Sequence, residues 1–402
     1  MPKKTTAHAK PAEPFVKLSI RGVTRLQSRH PWVYRSDIVE SNDPPAGSIV
    51  RVQDQRGKFL GTALYSSSSQ IAIRMISHGS VDDLPALVAD RISAAIAYRK
   101  DLVRDTNAYR IVFSEADFLP GLIVDRYNDV ISLQILTQAM DANPVREAIL
   151  QTLRKEDDLH PAGIVERVDP RIRELEQLPP RPSALLWGEK SSTEVTMNNV
   201  RFHYDGMEGQ KTGAFLDQRE NYAAAAQYAQ GEALDAFCYQ GGFALHLAPR
   251  CSIVTGVDSS RPALEVAEKN AALNGRELDW IEANAFDLLR EYSAANRRYD
   301  TIVLDPPAFA KTKRDLDKAL RGYKELNLRA MKMLRPGGIL VTCSCSFHVG
   351  PADFVKVVAD AAQDAHKDLR LIESRGASKD HPILLNVPET SYLQCLILRL
   401  SD

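Results

Sequence analysis

From about residue 194 to the C-terminus, β-branched runs alternate with amphipathic ones. The strand candidates are residues 195–204, 233–238, 252–258, 278–282, 299–304, 338–343, 369–373 and 392–400. The helix candidates are 242–248, 261–274, 285–296, 315–334 and 352–365. Regular alternation of this kind predicts an α/β domain built on a doubly wound, mostly parallel sheet. Only a loop separates the last two strand candidates, which permits a hairpin and an antiparallel final strand. Such sheets bind ligands beyond the carboxyl ends of their strands, so the residues at those ends matter most.

Two strand ends carry reactive groups. Thr301-Ile302-Val303-Leu304 runs into Asp305-Pro306-Pro307-Ala308-Phe309, and Gly338-Ile339-Leu340-Val341 runs into Thr342-Cys343-Ser344-Cys345-Ser346. Both runs read as buried strands. A carboxylate and a pair of thiols at one sheet edge suit attack on a pyrimidine ring, the thiolate adding and the acid managing ring protonation. A third end, Asp235-Ala236-Phe237-Cys238-Tyr239-Gln240-Gly241-Gly242-Phe243, places two glycines at the first strand-to-helix turn, where a ligand can approach the backbone. The next strand ends in Asp258, placed to accept from ribose hydroxyls. No G-x-G-x-x-G fingerprint is present to cradle a pyrophosphate. A ribose-binding acid without that cradle points to S-adenosylmethionine rather than NAD.

The N-terminal half reads differently. Residues 1–14 are expected to form a disordered tail and residues 15–80 a small β-barrel, with strands at 16–20, 48–52, 59–64 and 70–76. Residues 1–80 hold twelve Lys/Arg against five Asp/Glu, whereas the remainder is acidic. Arg21, Arg25, Arg29 and Arg35 are therefore candidates for RNA phosphate contacts. Trp32 and Tyr34, between them, are expected to fill the barrel core. Residues 81–193 read as a small α+β middle domain, with helices at 82–105 and 144–155 and strands at 109–114, 121–125, 130–137 and 163–167. The catalytic domain then occupies 194–402. Five cysteines, odd in number, fit neither a disulfide framework nor a metal site. With no apolar run able to span a bilayer, they point to a cytoplasmic protein.

Four stretches carry a family resemblance: residues 209–219 (Gly-Gln-Lys-Thr-Gly-Ala-Phe-Leu-Asp-Gln-Arg), residues 305–311 (Asp-Pro-Pro-Ala-Phe-Ala-Lys), Ser344-Cys345-Ser346 and Asp380-His381-Pro382. With these the chain resembles the RlmI-type large-subunit rRNA 5-methylcytidine methyltransferases. That family joins an N-terminal PUA domain and a small middle domain to a Rossmann-like class I methyltransferase domain. The resemblance implies large-subunit (23S) rRNA as partner and a possible homodimer. It implies cofactor contacts from Thr212, Phe215, Asp217, Asp235, Phe237, Gly241, Asp258 and Asp305. Asn284 or Asp287 would lie beside the adenine, although relatives usually have Asp where Asn284 stands. For Thr212, Phe215 and Asp217 the alternative is a plain helix N-terminus favoured by its dipole.

The resemblance also aligns the family's nucleophilic thiol with Cys345, leaving Cys343 as a small buried hydrophobe. The thiolate would add to C6 of cytosine, C5 would take the methyl group, and Asp305 would stabilise the adduct at N3. Two rival chemistries use similar segments. Exocyclic amine methylation favours an aromatic directly after Asp-Pro-Pro, where this chain has Ala308. Guanine N7 methylation needs no thiol. A non-catalytic rRNA-binding assembly factor is the alternative of another class.

Overall fold

The structure, a computed structural model, describes residues 13–207, 214–310 and 312–401. The expected tail lies outside these residues except for its last two. Thr212 and Lys311 also lie outside them.

The C-terminal sheet has seven strands in the order Asp279–Glu282, Cys251–Asp258, Gly231–Ala236, Tyr299–Leu304, Leu334–Ser344, Gln394–Leu400, Leu369–Arg375. The first five are parallel. Gln394–Leu400 pairs antiparallel with both its neighbours, as the helix-free final connection allowed. Ile302, Val303 and Leu304 are all fully buried, which is why their run reads as continuously apolar. Ile302 and Leu304 join the core on one face and Val303 the core on the other, following the alternation of a strand. The chain reverses its direction of winding between Gly231–Ala236 and Tyr299–Leu304, where Ala236 lies level with Leu304. Phe237 and Asp305 therefore leave the sheet side by side, at the switch point where such folds bind ligands.

The expected strand at 195–204 is a hairpin. Ser192–Met197 pairs with Val200–Asp205 around Asn198 and Asn199. Both turn residues have positive φ (51° and 67°), the geometry of a two-residue hairpin turn that asparagine tolerates. The hairpin packs on the middle region through Tyr204, stacked on Tyr127 at 3.6 Å.

The N-terminal module is a six-stranded mixed sheet with one helix. Val33 at one end of the sheet and Val16 near the other share one core, so the sheet curls on itself. The strand expected at 16–20 stops at Leu18. Ser19 then caps a helix, Ile20–Gln27, by accepting from the Gly22 N–H. Gly22 hid this helix from propensity, because mid-helix glycine is unfavourable. A Cβ there would lie 3.1 Å from the Asp37 side chain. Trp32 and Tyr34 do not fill the core; each is only partly buried. The Trp32 indole donates to Glu115 of the middle region at 2.8 Å, and Tyr34 lies under the Arg25 guanidinium.

The middle region has a five-stranded sheet, to which Ala184–Gly188 adds an edge strand that sequence patterning missed. Its long helix, Leu84–Leu102, packs with Leu64 and Ile76 of the N-terminal module in one continuous core. Among the described residues no helix is long and apolar enough to cross a membrane.

Candidate active site

The first strand of the catalytic sheet ends in a strained turn. Phe237 (φ 68°) and Tyr239 (φ 48°) are left-handed without being glycine, at a cost of about 1–3 kcal/mol each. The Val257 carbonyl holds the turn by accepting from the N–H groups of both Phe237 and Cys238. Gly241 has φ 84°, and a Cβ there would stand 2.9 Å from the Trp280 ring. At Gly242 a Cβ would meet the Tyr222 ring at 2.5 Å. This turn directs Phe237 and Tyr239 into a cavity of about 420 Å³ above the sheet, a size suited to a nucleoside-like ligand. Gly242 lines the cavity, and Gly241 is not among its lining residues.

Asp258 lies at the cavity wall. Its two carboxylate oxygens accept from the N–H groups of Tyr239 (3.0 Å) and Ser260 (2.9 Å). These bonds fix the carboxylate, and a carboxylate has lone pairs left for two ribose hydroxyls. Phe215, Phe237 and Phe286 supply apolar walls. Asn284 lines the cavity while its side chain caps the helix Ala285–Ala294 through the Phe286 N–H. This donor set and shape fit S-adenosylmethionine.

Two candidates stand elsewhere. Asp287 does not line the cavity; its side chain is 68% exposed and pairs with Arg290. Asp235 is fully buried beneath the turn and accepts from the Ala244 N–H at 2.8 Å. Burial, opposed by that hydrogen bond, pushes its carboxyl well above the usual range. Its place in the fold is to hold the helix Gly242–Leu247 against the sheet.

The opposite wall carries the reactive groups. Asp305, Pro306 and Cys345 line the same cavity as Asp258. The Cys345 thiol lies 3.7 Å from the Pro306 carbonyl oxygen. Cys343 is fully buried and lies level with Cys395 on the neighbouring strand. Burial first, and Cys395 second, push its thiol well above the ordinary range, so it is a poor nucleophile. Asp217, buried at the cavity edge, accepts from the Tyr392 hydroxyl at 2.6 Å. Gln218, beside it, donates to Asp305 at 2.9 Å. Sequence reasoning passed over Gln218 and Tyr239, although both stand inside the stretches it quoted. Among the described residues no cluster of potential ligands could hold a metal ion.

Of the arginines, Arg29 is exposed. Arg21 is largely exposed and pairs with Asp37. Arg35 donates to the carbonyls of Ser66 (2.7 Å) and Ser69 (2.9 Å), holding a loop of its own domain.

The family model for an S-adenosylmethionine-dependent methyltransferase matches residues 144–399, and that for a PUA-like domain matches residues 16–78. The crystal structure of SMU.776 complexed with SAH has the same fold, with a TM-score of 0.81 at 18% identity over 96% of this chain and 99% of that one. Fold and cavity are thus those of an S-adenosylmethionine-dependent methyltransferase carrying a PUA-like domain. Ribosomal RNA large subunit methyltransferase I of Shewanella denitrificans is 38% identical, over 96% of this chain and 98% of the relative. Its namesake in Aeromonas hydrophila is 39% identical, over 93% and 96%. The chain belongs to the ribosomal RNA large subunit methyltransferase I family.

Proposed function

We propose that the protein methylates carbon 5 of a cytidine in large-subunit (23S) ribosomal RNA, with Cys345 as nucleophile. The observation that carries this reading is the Cys345 thiol against the Pro306 carbonyl, in one cavity with Asp305 and Asp258. Asp258, Phe237 and Phe215 would hold S-adenosylmethionine, which would supply the methyl group.

The chain's own part is to activate the base. The Cys345 thiolate forms a bond to C6, and the C5–C6 π electrons move to C5. A protonated carboxyl group of Asp305 donates to N3 and so stabilises the negative charge that the ring acquires. C5 would then take the methyl group, whose bond to the sulfonium sulfur breaks with its electron pair left on that sulfur. A base then takes the C5 proton, the C–H electron pair restores the C5–C6 double bond, and the C6–S pair leaves with the thiolate. The cytosine must leave its stack to reach the cavity, at a cost of a few kcal/mol.

Phe309 weakens the exocyclic amine reading. Its ring packs on Tyr323 at 4.7 Å rather than lining the cavity, so it offers no face to a base there. The guanine N7 reading leaves the Cys345 thiol without a task. The deciding experiment incubates the protein with ribosomal RNA and labelled S-adenosylmethionine and identifies the product nucleoside by mass spectrometry. 5-Methylcytidine is expected; 7-methylguanosine or a methylated exocyclic amine would overturn the proposal.

A further inference from the structure

Tyr323 lies in the middle of the helix Leu316–Met333 and is fully buried. Its ring packs between Phe309 and Phe354, with centroids at 4.7 and 5.4 Å. A phenol in such a place costs stability unless its hydroxyl is satisfied. The satisfaction comes from two serines, Ser344 Oγ at 3.0 Å and Ser346 Oγ at 2.9 Å. These are the residues on either side of Cys345.

Ser346 has a further task. Its Oγ accepts from the N–H groups of Phe309 (3.0 Å) and Ala310 (3.3 Å). It shares a third hydrogen bond with the Tyr323 hydroxyl, in which either oxygen can donate. One hydrogen-bonded cluster thus ties the loop after Asp305 to the backbone on both sides of the thiol. Cys345 sits between the two tethered serines, with its sulfur on the Pro306 carbonyl of the same loop. Burial pushes the phenol up to about 12, so it keeps its proton through neutral pH.

We propose that Tyr323 is a positioning residue: its hydroxyl locks residues 344–346 against the loop 305–310 and so aims the Cys345 thiol at carbon 6 of the target cytosine. The inference rests on the reading of Cys345 as nucleophile. Displacing a reacting atom by about 1 Å costs on the order of a hundredfold in rate. Phenylalanine would fill the same space without the hydroxyl, leaving the cofactor wall intact.

The test uses the full-length protein, S-adenosylmethionine and RNA carrying 5-fluorocytidine at the methylated position, where the fluorine blocks release of the thiolate. Tyr323→Phe should slow covalent adduct formation by roughly ten- to a hundredfold. Affinities for S-adenosylmethionine and RNA should stay within about twofold. Ser346→Ala should give a similar defect, and the double variant should be little worse than either single one, because both break one network. If the wild-type protein forms no adduct, the nucleophile reading itself fails. If the wild type forms it and Tyr323→Phe matches its rate, the positioning role is overturned. A parallel loss of S-adenosylmethionine affinity also overturns it, since that marks general disruption. Should Tyr323→Phe fail to fold, Ser346→Ala alone decides: a wild-type adduct rate there defeats the proposal, and a selective slowing upholds it.

Discussion

The side-chain amide of Gln218 donates to the Asp305 carboxylate at 2.9 Å, joining the segment before the helix Arg219–Tyr228 to the end of the strand Tyr299–Leu304. A carboxyl that must meet N3 of a cytosine needs a fixed orientation, and a neutral amide supplies it without repelling the base. Gln218→Ala should therefore lower the rate of adduct formation about tenfold, the scale of one hydrogen bond. Affinity for S-adenosylmethionine should change less than threefold. Unchanged single-turnover rates would show that Asp305 does not depend on Gln218.

The two thiols should separate cleanly. Cys345→Ala should abolish both methylation and the 5-fluorocytidine adduct while retaining cofactor binding. Cys343→Ala should keep the adduct and lower the melting temperature slightly, because it opens a small cavity against Cys395. The reverse pattern would move the nucleophile two residues upstream, onto a thiol whose burial opposes ionisation.

For the cofactor, Asp258 and Asp287 should behave in opposite ways. Asp258→Ala removes the proposed ribose contacts and also frees the N–H groups of Tyr239 and Ser260. Calorimetry should find S-adenosylmethionine affinity reduced at least tenfold, with NAD not bound by either protein. Asp287→Ala should leave affinity unchanged, since that side chain faces solvent beside Arg290. A loss on Asp287→Ala would mean that the helix it sits on moves when ligand binds.

The strand ends were legible from sequence because buried parallel strands read as apolar runs, and the first polar residue after each run marks the ligand edge. That logic pointed to Asp258, Asp305 and the stretch holding Cys343 and Cys345, and the family resemblance chose Cys345 between the two thiols. The family resemblance placed Asp235 and Asp287 near the cofactor too, because a matching stretch of chain does not say whether a carboxylate points into a cavity, into a turn or into solvent. Tyr323 was out of reach for another reason. It belongs to a helix on the sheet's flank, and only the folded chain brings its hydroxyl between Ser344 and Ser346. The hairpin at Asn198-Asn199 could have been read, since paired asparagines tolerate positive φ. The helix after Leu18 was harder, with Gly22 arguing against it and only the Ser19 cap arguing for it.

The arginines of the N-terminal module should divide by environment. Arg29→Glu and Arg21→Glu should weaken RNA binding and flatten its salt dependence by about one unit of slope for each phosphate left unneutralised. Arg35→Ala should instead lower the melting temperature, since its guanidinium holds the Ser66 and Ser69 carbonyls. Filter binding across a salt series, beside thermal melts, distinguishes the two. Equal RNA affinity for wild type and Arg29→Glu would take that arginine out of the interface.

Asp380 should make the fold sensitive to acid. It is fully buried where the middle and catalytic regions meet. One oxygen accepts from Arg219 at 3.1 Å and the other from the Arg110 N–H at 2.7 Å, while its backbone carbonyl accepts from Arg99 at 2.8 Å. Burial alone would raise its pKa. His381, then Arg219 and the Arg110 N–H, outweigh that and hold the carboxyl below the usual range. A group depressed in the folded state contributes fully above its unfolded value, near 4, and loses that contribution as pH falls below it. Asp380→Asn leaves Arg219 with less compensation in the interior and should cost about 3–5 kcal/mol at neutral pH. The gap in melting temperature between wild type and Asp380→Asn should narrow as pH falls below about 4. A gap of the same size at pH 3 and pH 7 would mean that the Asp380 charge does not stabilise this junction.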